Sequence, residues 1–320
     1  MLRIKTLLAL LLAFGLLAAA CGSDDDDGEA STTTTAATDE EGDEAADESG
    51  DETADESGDE AADEEMTDDA AAHSCDPASF KTEGQLTVAT GDAVFPPWVL
   101  NDDPAGGEGF EAALVVSLAS ELGIDAVQWS GTTFDEAIAP GPKDYDFNIQ
   151  QYSITPDRDE VVDFSDGYYE VEQAIIGAAD SPAASATSVA DLAELRLGAA
   201  IGTTSLDYIE TVIEPSTQAA VYDDNAAAKA AFDAGQVDAI VFDLPTAYFI
   251  TAVEIPDASI IGVLPRVGDD PEELGMLFED GSPLVGCINE ALAALDADGT
   301  LADLEERWLS DGGNIPELAA

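Results

Sequence analysis

The chain has 320 residues, of which 70 are acidic and 9 basic, for a formal charge of −61. That surplus excludes nucleic acid as a partner, because such affinity rests on cationic contacts, and it excludes charge-driven docking on anionic lipid. Apolar residues still make up 45% of the chain, enough for a real core.

The first 21 residues join a short basic start, Arg3 and Lys5, to an apolar run from Leu7 to Ala20. This is the pattern of a secretory signal, short for a membrane span of about 20 apolar residues. Ala18-Ala19-Ala20 before Cys21 resembles the lipobox of bacterial lipoproteins, although Ala18 stands where leucine is commoner. The resemblance implies a diacylated Cys21 as the mature N-terminus, with the protein outside the cytoplasm on the outer face of the cell membrane. From Gly22 to Ala72 there are 23 acidic residues and no basic one, and an eight-residue unit recurs as GDEAADES, GDETADES and GDEAADEE. Residues 22–74 are therefore expected to be a disordered, extended tether. Scattered carboxylates lack the fixed cage of a metal site, so no metal or cofactor is expected.

Residues 73–320 keep 47 acidic and seven basic residues. A charge near −40 on this region fits a saline setting, where screening makes self-repulsion tolerable. With Cys21 assigned to lipid, Cys75 and Cys287 form an even pair in an oxidising compartment, and a disulfide between them is expected.

QLTVAT (85–90) alternates as a strand, and the turn-rich loop GDAVFPPW follows it. Residues 109–123 read as a helix with Phe110, Leu114, Leu118 and Leu122 on one stripe and Gly123 as its stop. A weaker helix spans 133–139 before Pro140. Phe147, Ile149, Tyr152 and Ile154 mark a buried strand that ends at the hydroxyls Ser153 and Thr155 and at Pro156. Two residues on stands Arg158, whose permanently charged fork suits a carboxylate; a surface ion pair with Asp157, Asp159 or Glu160 is the alternative. Strand, helix and strand in this order indicate parallel pairing in an α/β fold.

An apolar run at 174–177 and a short helix ending near Leu195 precede the strand LGAAI (197–201). Gly202-Thr203-Thr204-Ser205 then opens the helix LDYIETVI, either as an ordinary cap or as an anion site on the helix start. A helix at 226–234 leads to the strand VDAIVF (237–242), closed by Asp243. LGMLF (274–278) returns as a strand, followed by helices at 283–295 and 300–308. Arg158, the Gly202 turn and Asp243 all sit at carboxyl ends of strands, where open α/β sheets hold ligands. One cation, one anion-binding turn and one carboxylate fit a zwitterion such as a free α-amino acid.

The ordered pieces GQLTVAT with FPPW, GFEAALVVSLASELG, DFNIQQYSITPDR, LGAAIGTTSLDYI, GQVDAIVFDLPTAY and SPLVGCINEALAALDADGTLADLEERWL resemble family 3 of the bacterial extracellular solute-binding proteins, which serve polar-amino-acid ABC importers. The resemblance covers nearly all of 83–312 and implies a two-lobe, type II periplasmic-binding-protein-like α/β fold with two crossover hinge strands. Lobe 1 would hold 75–174 and 276–320, and lobe 2 would hold 175–275. By resemblance, Arg158 holds the ligand α-carboxylate, Ser153 adds a direct contact while Thr155 holds its loop, and Gly202, Thr203 and Thr204 clamp the carboxylate from the other lobe. Asp243 takes the α-ammonium and Phe95 stacks on the ligand, whereas Trp98 matches a structural position. Gln150, Gln151 and Tyr152 stand where the family often has small residues, so Gln151 or Tyr152 is expected to fill part of the pocket or bond the ligand side chain. Ala113 replaces a common acidic residue of the first helix.

The implied protein is a monomer that captures a polar amino acid, or a similar small zwitterion, by cleft closure and hands it to an importer permease, without chemistry. A sensory module would use the same cleft, and dehydratases share the fold. The only histidine, His73, lies at the tether's edge, so no Ser-His or Cys-His machinery is available.

Overall fold

β-forming alternation builds β1 (Gln85–Gly91), and the apolar stripe that starts at Phe110 builds α1 (Phe110–Glu121). β2 (Ala126–Thr132), α2 (Phe134–Ile138), β3 (Phe147–Asn148), α3 (Pro156–Asp159) and β4 (Val162–Phe164) complete the first passage. β5 (Tyr169–Val171) leads into β6 (Gln173–Ala178), β7 (Leu197–Ala200), α4 (Thr204–Tyr208), β8 (Ala220–Tyr222), α5 (Asn225–Asp233), β9 (Ala239–Asp243), α6 (Leu244–Phe249) and β10 (Ala258–Val263). β11 (Glu272–Leu274) returns the chain to β12 (Leu277–Glu279), α7 (Val285–Ala297) and α8 (Thr300–Trp308). This computed structural model describes residues 75–309 and 315–320, all within the unit Thr67–Ala320. The expected leader, the lipidated Cys21, the acidic tether and His73 lie outside the described residues.

Two sheets result. The first has the order β2-β1-β3-β12-β4, with β1 parallel to β2 and β3 and with β12 antiparallel to its neighbours. The second has the order β10-β6-β9-β7-β8, with β7 parallel to β8 and β9 and with β6 antiparallel to β9 and β10. Between them β5 and β11 form an antiparallel pair, the two crossover strands.

The second sheet is covered on both faces, so its strands are apolar on both sides. Ile175 and Val241 face one core, while Ala174, Ile176, Ile240 and Phe242 face another. In the first lobe Val88, Trp98, Phe110, Leu114, Phe147 and Phe278 form a continuous core. Cys75 and Cys287 are bonded with Cα atoms 5.3 Å apart, tying the start of the described chain to α7.

Four features depart from expectation. The buried strand around Arg158 is extended only at Phe147–Asn148, because Gln151 takes a left-handed conformation (φ 52°) that breaks the ladder. LGMLF divides at Gly275, which leaves no room for a side chain: a Cβ there meets the Ile154 side chain at 2.8 Å. In place of a helix ending near Leu195 the chain makes two 3-10 turns, Pro182–Ser185 and Val189–Leu192. The last residues, placed with lobe 1 by the division at 276–320, pack on the second sheet instead. Leu318 is buried there, its N–H donates to the Val263 carbonyl (2.9 Å), and the Ala319 N–H donates to Thr187. An edge strand with unpaired backbone groups explains this capture.

Candidate functional site

Arg158 is positioned by its own short helix. Pro156 opens α3, and Thr155 caps it by accepting from the Arg158 N–H (3.3 Å). The side chain turns inward, 7% exposed. Nη1 donates to the Ser153 carbonyl (2.6 Å) and Nη2 to the Gly202 carbonyl (2.8 Å), the second bond reaching the other lobe. The guanidinium carbon lies 5.4 Å from the ring centre of Phe134, which stacks on Tyr152 at 4.6 Å. Arg158 is therefore a buried, aimed cation rather than a partner of surface acids. Burial lowers its proton affinity, while Asp207 and Glu272 raise it.

Asp243 ends β9 opposite Gln173 of β6 in the sheet register. Gln173 Nε2 donates to its Oδ1 at 2.8 Å. Enclosure in the cleft, and then the charge of Glu272, push the Asp243 carboxyl up to about 7; the Gln173 bond and Arg158 act in the other direction.

Arg158 and Asp243 line one cleft. Phe95, Gln151, Ser153, Thr203 and Thr204 line it too, so seven of the eight candidate ligand residues meet there. Gly202 stands just outside, where its carbonyl holds Arg158. Its φ is 71°, and a Cβ on it would lie 2.5 Å from Asp135 Oδ1, so the lobes approach at this point only through glycine.

Not every hydroxyl is free to do what was expected of it. Thr203 caps α4: its Oγ1 accepts from the Leu206 N–H (3.2 Å) and donates to the Ala200 carbonyl (2.8 Å). Ser153 Oγ donates to Glu272 Oε1 (2.6 Å), and Thr204 Oγ1 donates to the same oxygen (2.7 Å).

Several residues around the cleft were not singled out from sequence. Phe134, Asp223, Asp224 and Asn225 line it, together with Gln150, which the sequence marks only as a departure from the family's small residues. Gln150 also accepts from the Tyr152 hydroxyl (2.9 Å), so Tyr152 is fully buried behind the wall rather than in the pocket. Glu111, fully buried on α1, accepts from the Gln151 N–H (2.8 Å), the Gln151 side-chain amide and the Tyr168 hydroxyl (2.5 Å). Those bonds hold Gln151 in its left-handed conformation. Burial raises the Glu111 carboxyl to about 7. An acid inside the apolar stripe of a helix was the available signal.

The model of the bacterial extracellular solute-binding proteins, family 3, matches residues 86–311. The chain belongs to this family. Among its family relatives, L-cystine-binding protein TcyJ of Escherichia coli K12 is 26% identical over 231 residues, 71% of this chain and 84% of TcyJ. ABC transporter arginine-binding protein 1 of the same strain is 29% identical over 210 residues, 62% of this chain and 81% of the other. In the solved structure of an ancestral arginine-binding protein bound to arginine, 99% of that chain superposes on 71% of this one, with a TM-score of 0.62 and 31% identity. The two sheets and paired crossover strands are thus the two-lobe type II fold of the periplasmic amino-acid-binding proteins. Within this family 3 chain, Arg158 on α3 and Asp243 at the end of β9 come from opposite lobes.

Proposed function

We propose that this solute-binding protein captures a free α-amino acid between its lobes and delivers it to an ABC importer, held at the membrane by lipid on Cys21. The observation that carries the reading is that one cleft presents a buried guanidinium and a partly buried carboxylate, from opposite lobes, to the same space. A ligand with a carboxylate and an ammonium compensates both charges at once. Arg158 binds the carboxylate with the N–H groups not used on Ser153 and Gly202, Asp243 takes the ammonium, and Phe95 and Phe134 supply apolar walls. Such contacts span both lobes, so the ligand stabilises the closed form over the open one. The names of the relatives support amino acids as the ligand class.

A thermal-shift screen of the common amino acids, followed by calorimetry on the hits, tests this. Arg158→Ala should weaken the best ligand by at least roughly 30-fold, as removal of one partner of a buried charge pair costs about 2–5 kcal/mol. Undiminished affinity in a folded variant rejects the assignment of Arg158. Product formed from a bound amino acid would instead make the cleft catalytic.

A further inference from the structure

Beneath the cleft floor lies a hydrogen-bond network that the captured-amino-acid reading does not use. Glu272, on the crossover strand β11, does not line the cleft; it faces a separate cavity behind it with Val171, Gln173 and Arg266. Its Oε1 is nevertheless the shared acceptor for Ser153 Oγ of one lobe (2.6 Å) and Thr204 Oγ1 of the other (2.7 Å). Gln173 Nε2 approaches both Glu272 oxygens (3.3 Å each) while donating to Asp243. The orientation of that amide is fixed from the other end, because Ser205 Oγ donates to Gln173 Oε1 at 2.5 Å.

A carboxylate accepts hydrogen bonds and has no proton to give, so both hydroxyls must be donors toward Glu272. Each hydroxyl has one proton. With both protons turned behind the floor, Ser153 and Thr204 offer only lone pairs to the cleft they line. Their oxygens stand 3.3 Å apart, facing each other without a proton to spare. Both acceptor oxygens line the same cleft as the Asp243 carboxylate, and Gln173 Nε2 links Thr204 Oγ1 (3.4 Å) to Asp243. Together they make a corner that a cationic donor with several N–H groups satisfies and that an anion does not.

We infer that Glu272 is a positioning residue that sets the polarity of the Ser153 and Thr204 hydroxyls, so that this corner selects a primary ammonium and refuses the same ligand with the amine replaced by a hydroxyl. The assignment rests on the amino-acid reading of the cleft. It moves Thr204 from the carboxylate side of the ligand to its amine side, gives the direct contact of Ser153 to the amine as well, and leaves Arg158 and main-chain groups to hold the carboxylate. A 2-hydroxy acid brings one proton where an ammonium brings three, and it brings no charge.

The test compares the best-binding amino acid with its 2-hydroxy acid by calorimetry, in the wild type, Glu272→Gln and Thr204→Val. The wild type should prefer the amino acid by at least ~100-fold, in line with the penalty for leaving buried acceptors unpaired. Glutamine has a donor nitrogen that turns one hydroxyl proton back toward the cleft, so Glu272→Gln should shrink that ratio roughly 10-fold. Thr204→Val removes an acceptor while keeping the shape, and it should weaken the amino acid by roughly 10-fold while changing the hydroxy acid less than about two-fold. A general loss of packing would weaken both ligands together and leave the ratio intact. If Glu272→Gln does not fold, Thr204→Val decides alone. A ratio unchanged in the folded variants overturns the role of Glu272 while the amino-acid reading stands. A wild type that binds no amino acid overturns both.

Discussion

The indole Nε1 of Trp98, in the first lobe, donates to Thr246 Oγ1, in the second, at 2.8 Å, and both side chains are buried. Under the cleft closure proposed above, this bond forms only when the lobes meet. In Thr246→Val the indole N–H is buried against a methyl group whenever the lobes come together, but it is hydrated when they part. The penalty, about 1–3 kcal/mol for an unmatched buried donor, therefore falls on closure. Ligand affinity should drop by roughly 5- to 100-fold with contacts to the ligand untouched. Calorimetry on the variant checks this, and an unaltered dissociation constant would show that the contact contributes nothing to closure.

Asp243 gives the binding reaction a pH dependence with a definite sign. Its carboxyl titrates at about 7 because burial and Glu272 disfavour the charge. Only the ionised form can pair with an ammonium, so binding draws the proton off and affinity rises with pH up to the plateau above 7. At pH 5.5 about 3% of the carboxyl is ionised, and the apparent dissociation constant should be ~30-fold weaker than at pH 8. Calorimetry in buffers of different ionisation enthalpy would register a proton released near pH 6. Asp243→Asn should bind weakly and without that slope; a slope that persists in the variant assigns the titration to another group.

Asp243 was legible in the sequence because it closes an apolar strand directly. Arg158 was legible because a lone arginine just past an apolar, proline-stopped run in so acidic a chain has few places to go, although that run is a strand only at Phe147–Asn148 and Arg158 sits on α3. The acceptor corner was not. Glu272 lies 119 residues from Ser153 and 68 from Thr204, and its meeting with them depends on the pairing of β5 with β11. Gln173 reaches Asp243 only through the antiparallel register of β6 and β9. Side-chain periodicity carries no information about such register across 70 residues. Gln151 is intermediate: its place in a position usually held by a small residue was visible, but not the left-handed backbone that explains why small residues suit it.

The disulfide between Cys75 and Cys287 spans 212 residues, so in the chain-entropy account it removes much freedom from the unfolded state. Replacing both cysteines by serine should lower the unfolding free energy by about 2–5 kcal/mol with the native cleft preserved. Urea titrations of the variant, and of the wild type with and without reductant, measure this. Equal midpoints in all samples would show that the bond does not constrain the unfolded chain.

Glu111 makes the stability of the first lobe depend on pH in the direction opposite to a salt-bridged acid. Its carboxyl titrates at about 7 in the folded protein, against an ordinary value of 4.5. Between those values the folded chain keeps a proton that the unfolded chain has released, so stability is greatest below the window, falls as pH rises through it and levels off above about 7. A shift of this size corresponds to on the order of 3 kcal/mol. Asp243 adds to the same slope, reduced by its partial exposure. The measurement is urea unfolding from pH 4.5 to 8 in molar salt, which screens the mutual repulsion of the surface carboxylates. Glu111→Gln meets the donors Gln151 N–H, Gln151 Nε2 and Tyr168 Oη with a single acceptor oxygen, so it should be less stable than the wild type at low pH. Its decline with pH should nonetheless be shallower, because the group that titrates is gone. A variant whose stability falls as steeply as that of the wild type would place the titration elsewhere in the chain.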